Sequence, residues 1–187
     1  MRFPLLRRAQ LSGVVLAAAF LAVVPAAAPV TSHPAERPRT TVFAQNAIER
    51  PLLAAINAER QRRGLKPLRP SRALAQAADG HARAMGTDGF FAHESRDGTS
   101  ASARIRRHYR VEGYGRWLTG ETLLWRSPGV GPQEALALWL ASAPHRRVLL
   151  SPAFREVGIA AVRATRAPGV FGGRGVTIVV ADFGARS

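Results

Sequence analysis

Apolar positions from Asn46 onward recur at three- and four-residue steps: Ile48, Leu52, Ala55 and Ile56, with Glu59 on the same stripe. That spacing lines one face of an α-helix. Pro51 is tolerated because it falls in the first turn, where its missing N–H has no partner to lose. Gly64 is a natural left-handed stop, and Pro67 follows it. Ser71 stands where it can cap a second helix with Leu74, Ala78, His81 and Met85 on its buried stripe, closed by Gly86 and Gly89. Thr99 is placed to cap a short third helix running through His108. The Gly/Tyr-rich passage "VEGYGRWLTGETLLW" reads as a connection to a fourth helix. That helix starts at Pro132, a good first-turn residue, buries Leu136, Trp139 and Leu140, and ends near Ala143. Pro144 opens one more turn, "PHRRVLL".

After "SPAF" the period changes. "EVGIAAVRA" and "VTIVVADF" are rich in β-branched residues and read as a hairpin joined by the loop "TRAPGVFGGRG". Helices first and paired strands last predict an α+β layered domain. No internal repeat is visible.

The head of the chain follows another logic. Arg2, Arg7 and Arg8 precede an apolar run from Leu11 to Val24, and "PAAAP" follows. A basic head, a short apolar middle and small residues predict a secretory signal peptide within residues 1–28. Cleavage after Ala26 fits best, with Val24 and Ala26 at the recognition positions, since a cut after Ala28 would abut Pro29. The run is shorter than the ~20 apolar residues of a spanning helix. An uncleaved anchor is the alternative; "RRAQL" matches a twin-arginine signal poorly. Residues 29–45 hold three prolines and little apolar content and read as an extended linker, leaving residues 46–187 as the folded domain.

Composition then narrows the chemistry. There is no cysteine, so an exported domain must rest on its core, and thiolate metal sites and cysteine nucleophiles are excluded. About 140 residues suffice, burying roughly two thirds of the unfolded surface. The net charge is +15, Lys66 is the only lysine, and the arginines are scattered with pairs at Arg62-Arg63, Arg106-Arg107 and Arg146-Arg147. Such a charge favours anionic surfaces such as phospholipid headgroups or acidic wall polymers. No arginine stripe interleaves with aromatics as single-strand binding requires, so no nucleic-acid partner is expected.

Three ionisable residues stand at the ends of elements, where side chains can point into a shared cleft: His93 in "FFAHESRDG", Glu121 in "TGETLLW" and His145 in "PHRRVLL". Taken singly, each has a plainer reading as a turn histidine, a solvated acid and a first-turn helix residue. His81 falls on an apolar stripe and reads as a hydrogen-bonded core residue; His108 reads as surface and His33 as linker. Ser142 and His145 are three apart, but Pro144 between them and the lack of a nucleophile elbow favour helix-end capping over a catalytic pair. Core packing is the expectation for Trp117, Trp125 and Trp139.

The order and spacing of "INAERQRRGLKPL", "LAQAADGHARAM", "FFAHESRDG", "GYGRWLTGETLLW", "ALALWLASAPHRRVLLSPAFREVGIAAV" and "IVVADFG", spanning Asn46 to Gly184, resemble the bacterial branch of the CAP superfamily. That is the family of cysteine-rich secretory proteins, antigen 5 and plant pathogenesis-related proteins. The resemblance implies a three-layer α-β-α sandwich around a central cleft. In eukaryotic members two histidines and two acids line that cleft, and some bind zinc there. On this resemblance the histidines fall on His93 and His145 and the glutamate on Glu121, with Phe90 and Phe91 anchoring the turn that carries His93. Thr122 replaces the usual asparagine, and Ser142 stands where the second acid would be.

The implied function is a monomeric, secreted or periplasmic binding module. Its His93, Glu121 and His145 cleft would hold zinc or another divalent cation, with water as fourth ligand, and a lipid or amphiphile in an apolar groove. A metal-dependent hydrolase acting on peptides or wall material is the alternative. A structural module adhering to anionic envelope surfaces is the second alternative. Without metal, Glu121 would instead hold an imidazole by a charge-assisted hydrogen bond.

Overall fold

The computed structural model describes residues 47–187. The signal-peptide and linker readings, and His33, lie outside the described residues. Helix α1 (Glu49–Arg62) buries Leu52, Ile56 and Glu59 on the expected stripe and is followed by Gly64 at φ 70°. It begins three residues later than Asn46. Strand β1 (Arg69–Pro70) leads into α2 (Arg72–Asp88), capped by the Ser71 side chain and closed by left-handed Gly89. Its buried stripe includes Leu74, Ala78, His81 and Met85. Helix α3 (Ala101–Arg106) is capped by Ser100 and not by Thr99, and stops short of His108. Thr99 instead donates its backbone N–H to Asp97, one residue too early to serve as cap.

The passage read as a connection contains a ten-residue strand, β2 (Trp117–Arg126). Its glycines and mixed polarity hid the alternation; what makes it a strand is a partner distant in sequence. Helix α4 (Pro132–Ala141) and helix α5 (Ala143–Leu149) follow, hinged at Ser142. The hairpin is present as β3 (Glu156–Ala167) and β4 (Arg174–Arg186). Both strands run deeper into the expected loop, which keeps a short 3-10 turn at Gly169–Phe171.

The four strands lie in the order β1-β3-β4-β2. β4 is central and antiparallel to β2 and β3, while β1 runs parallel to β3 over two residues. Side chains alternate across the sheet. One face, carrying Leu124, Val179, Ala181 and Phe183, buries against α1, α4 and α5 around Trp139. The other, carrying Leu123, Val180 and Ile178, buries against α2. Ile105 and Tyr109, from α3 and the turn after it, join α2 at that layer's end. This is the three-layer α-β-α sandwich, and the described residues all fall within one compact unit.

Gly158 allows the tightest approach in the sandwich. A Cβ there would lie 1.9 Å from the Ala75 backbone nitrogen, so α2 sits directly on the β3 backbone. That contact fixes the height of α2, and with it the position of His81 and the turn that carries His93.

Candidate functional site: a buried carboxylate pair beneath His93

Glu121 occupies the middle of edge strand β2 and opposes Asp182 on β4 and, one strand further, Gly158 on β3. Residues directly opposite in a ladder point to one face, here the face under α2 and α3. Glu121 is buried and held from two sides. The Nδ1–H of His93 donates to Oε1 at 2.7 Å, and the Arg104 guanidinium donates to Oε2. Arg104 also donates to the His93 carbonyl at 3.0 Å and to Ser95 Oγ at 3.3 Å, tying α3 to the His93 turn.

The His93 ring is half exposed. With Nδ1 committed to Glu121, its Nε2 is the nitrogen left for solvent or ligand. The hydrogen bond that His93 donates to Glu121 raises the His93 pKa above the ordinary histidine value, against the opposing effect of burial. Burial alone would raise the Glu121 pKa; the His93 hydrogen bond and the Arg104 charge outweigh it and leave Glu121 below the usual glutamate value.

Beneath this dyad lies Asp182, fully buried. Burial, then the charge of Glu121, lifts its carboxyl well above the usual aspartate range. Neither Asp182 oxygen has a well-formed hydrogen bond, and Glu121 is the side chain close enough to become its partner. That partnership needs one proton between two carboxyls, and Asp182 is the member that holds it. His81 completes the group. Its Nε2–H donates to the Ala92 carbonyl at 2.9 Å, its ring meets Phe90 edge-on, and burial together with the Arg104 charge lowers its pKa, keeping it neutral.

The other residues singled out from the sequence take no part in the hydrogen bonds around Glu121. His145, in the first turn of α5, and Ser142 line an open groove of about 290 Å³ on the β2 edge, with Phe91, Trp125, Leu138 and Trp139 among its walls. Burial lowers the His145 pKa, and charge on His93 lowers it further, so the two imidazoles lie within electrostatic reach. Ser142 makes no side-chain cap at α5, contrary to the capping expectation. Thr122 points to the opposite face from Glu121 and is wholly buried, away from the dyad. Of the tryptophans Trp139 is core, donating Nε1–H to the Leu123 carbonyl, whereas Trp117 is 41% exposed against the packing expectation.

Asp182 and Arg104 were not among the candidates read from the sequence. A lone acid inside the apolar run "VTIVVADF" was the available signal for Asp182. Arg104 carried none, being one arginine among many.

The donor set around Glu121 is a poor one for a divalent cation. Glu121 has both oxygens engaged, and the Arg104 guanidinium brings a positive charge where a cation would bring its own. Among the described residues, no group of three or more His, Asp or Glu side chains is placed to hold a metal ion. The arrangement does not fit a resident zinc.

An α-β-α sandwich whose edge strand carries a glutamate held by a histidine from the turn after α2 defines the class. The chain belongs to the cysteine-rich secretory protein family, whose CAP model matches residues 53–183. It is 29% identical over 133 residues to the protein YkwD of Bacillus subtilis, covering 70% of this chain and 49% of that one. The chain thus spans about half the length of that curated relative. Among solved structures, an outer surface protein from Borrelia burgdorferi superposes with a TM-score of 0.60 at 23% identity, covering 73% of this chain and 90% of that one. An SCP-domain extracellular protein from Bacillus anthracis gives 0.58 at 24% identity, covering 74% and 40%. These likenesses show the fold.

Proposed function

We propose that the chain is an exported binding module that takes an apolar or amphiphilic ligand in the groove on the β2 edge. The carrying observation is the groove itself, whose walls are mostly apolar, Phe91, Leu123, Leu124, Trp125, Leu138 and Trp139, with Arg126, Ser142 and His145 as its polar groups. Apolar walls with a few convergent polar groups are the usual make-up of a small-molecule site. Export is supported by the signal-like head of the chain and by the extracellular and outer-surface relatives. No helix of the described residues is long and apolar enough to cross a membrane.

The test is displacement of an environment-sensitive fatty-acid probe. Saturable binding that weakens at least tenfold in Leu138→Glu, with the melting transition intact, supports the reading. Unchanged binding in that variant removes it. A hydrolytic reading has one observation in its favour: an outward-facing imidazole oriented by a buried carboxylate, as in base catalysis. Turnover of a peptide or wall-fragment library that disappears in His93→Gln would establish it over simple binding.

A further inference from the structure

Large apolar side chains exposed on the described residues are Tyr114, Trp117, Leu118 and Val170. Three of these four lie where β2 starts and β4 ends; the successive residues Trp117 and Leu118 project from opposite faces of the edge strand, so the exposed apolar surface wraps around its end. Tyr114, Trp117 and Leu118 are 41 to 44% exposed in a segment of five residues, so the concentration is a property of this end of the sheet. Arginines surround them. The Arg106 guanidinium lies 5.0 Å from the Trp117 ring centroid. That of Arg186 lies 4.2 Å from Tyr109 and 5.0 Å from Tyr114. At the paired ends of β2 and β4, beside the segment that precedes β3, lies an open groove of about 410 Å³ whose walls include Trp117, Leu118, Arg116, Arg155 and Arg186. The nearby acids are few: Glu112 in the turn before β2, and Glu156, whose carboxylate accepts the Tyr109 hydroxyl.

We propose that this end of the sheet docks onto the surface of an anionic phospholipid bilayer. Tryptophan and tyrosine place an apolar ring and a polar tip at headgroup depth, which is where such residues gather in membrane proteins. Arginine pairs phosphate with two parallel hydrogen bonds and keeps its stacking on the ring while doing so. Leu118 distinguishes a bilayer from a soluble polyanion, since burying it against acyl chains is favourable and a nucleic acid or wall polymer offers no such burial. Base stacking on Trp117 is also opposed, because Arg106 already covers a ring face. This surface involves none of the residues of the His145 groove, so the inference stands or falls apart from the ligand reading.

The test uses the chain without residues 1–28, the apolar head that would bind vesicles by itself. Co-sedimentation is measured with vesicles of phosphatidylcholine alone and with vesicles containing about 30% phosphatidylglycerol, the charge fraction being chosen to set up a surface potential. The expected result is binding to the anionic vesicles only, steeply weakened between 0.05 and 0.5 M salt as counterions screen the arginines, to roughly the extent a shrinking Debye length implies. The double variant Trp117→Ser with Leu118→Ser should bind at least tenfold more weakly, as should Arg106→Gln with Arg186→Gln, while Val170→Ser, at an exposed apolar position near the other end of β4, binds as the parent does. Trp117, Leu118 and Arg106 are exposed, so the first double variant should melt within a few degrees of the parent; Arg186 is half-buried and donates to the Arg110 carbonyl, so Arg106→Gln alone, expected to weaken anionic-vesicle binding at least threefold, stands in for the arginine pair if that pair melts lower. Absent binding, affinity for phosphatidylcholine equal to that for the anionic vesicles, or an unaffected Trp117/Leu118 variant would overturn the proposal. Equal affinity for soluble polyphosphate would overturn it too, showing a charge effect with no insertion.

Discussion

Glu121 and Asp182 are cross-strand partners on β2 and β4, both buried, with both carboxyls on the face covered by α2 and α3. Two carboxylates so placed repel unless one is protonated or a cation stands between them. Arg104 and His93 satisfy Glu121, which leaves Asp182 as the acid that keeps its proton. The site is therefore an asymmetric pair, one acid turned outward to an imidazole and one sealed inside the sheet.

Asp182→Asn should reveal that asymmetry as a pH-dependent gain. An acid whose pKa is raised by folding keeps its stability below its unfolded value, near 3.9, and loses it as pH rises through the folded value. Asparagine carries the amide in place of the proton and has nothing to lose. The variant should melt near the parent at about pH 3.5 and be more stable by on the order of 1 kcal/mol or more at pH 7. Thermal melts at both pH values decide it; a difference independent of pH would show that Asp182 ionises freely.

Arg104→Ala strands Glu121 with half its partners. Removing one member of a buried pair costs about 3 kcal/mol, because the remaining charge stays desolvated. Urea denaturation should show that loss, with Arg104→Lys recovering only part of it, since an ammonium cannot reach Glu121, Ser95 and the His93 carbonyl together. The same truncation frees a Glu121 oxygen, so zinc affinity by calorimetry should rise in Arg104→Ala relative to the parent. An unchanged or lower affinity would mean that the guanidinium is not what opposes a cation there.

His93 should titrate above an ordinary histidine in NMR, and Glu121→Gln should bring it down. With a raised folded-state pKa, the charged hydrogen bond contributes fully below about pH 6.5 and fades as pH climbs through the folded value. The stability gap between the parent and His93→Ala should therefore be widest near pH 6 and narrow on the alkaline side. His145 is expected to move the other way, titrating below the ordinary range.

Gly158→Ala tests the packing that sets the site's height. A methyl group 1.9 Å from the Ala75 nitrogen and 2.2 Å from the Leu74 carbonyl carbon has no flexible neighbour to displace, so α2 must lift from the sheet. Destabilisation of about 3 kcal/mol or more is expected, at or beyond the upper range for overpacking. Lifting α2 should also weaken the His93 pKa shift, which the same NMR titration reads out.

Helix periodicity and capping made α1, α2 and α4 legible in the chain itself, and β-branched runs did the same for the β3–β4 hairpin, because these signals are local: Ser71 caps within its own turn and Gly89 closes the same helix. The block order carried the family and pointed to His93, Glu121 and His145. Strand β2 was not legible, since its alternation is broken by Gly120 and its identity depends on pairing with β4, some sixty positions later. The same is true of Asp182, whose importance arises only when the ladder sets it opposite Glu121. It is true of Arg104, whose reach to Glu121 depends on how α3 lies over the sheet, and of Trp117, exposed only because the sheet ends there. Local chemistry along the chain chose the elements; which side chains meet, and which remain uncovered, was decided by register and layer packing, because those distances are fixed between strands and not along them.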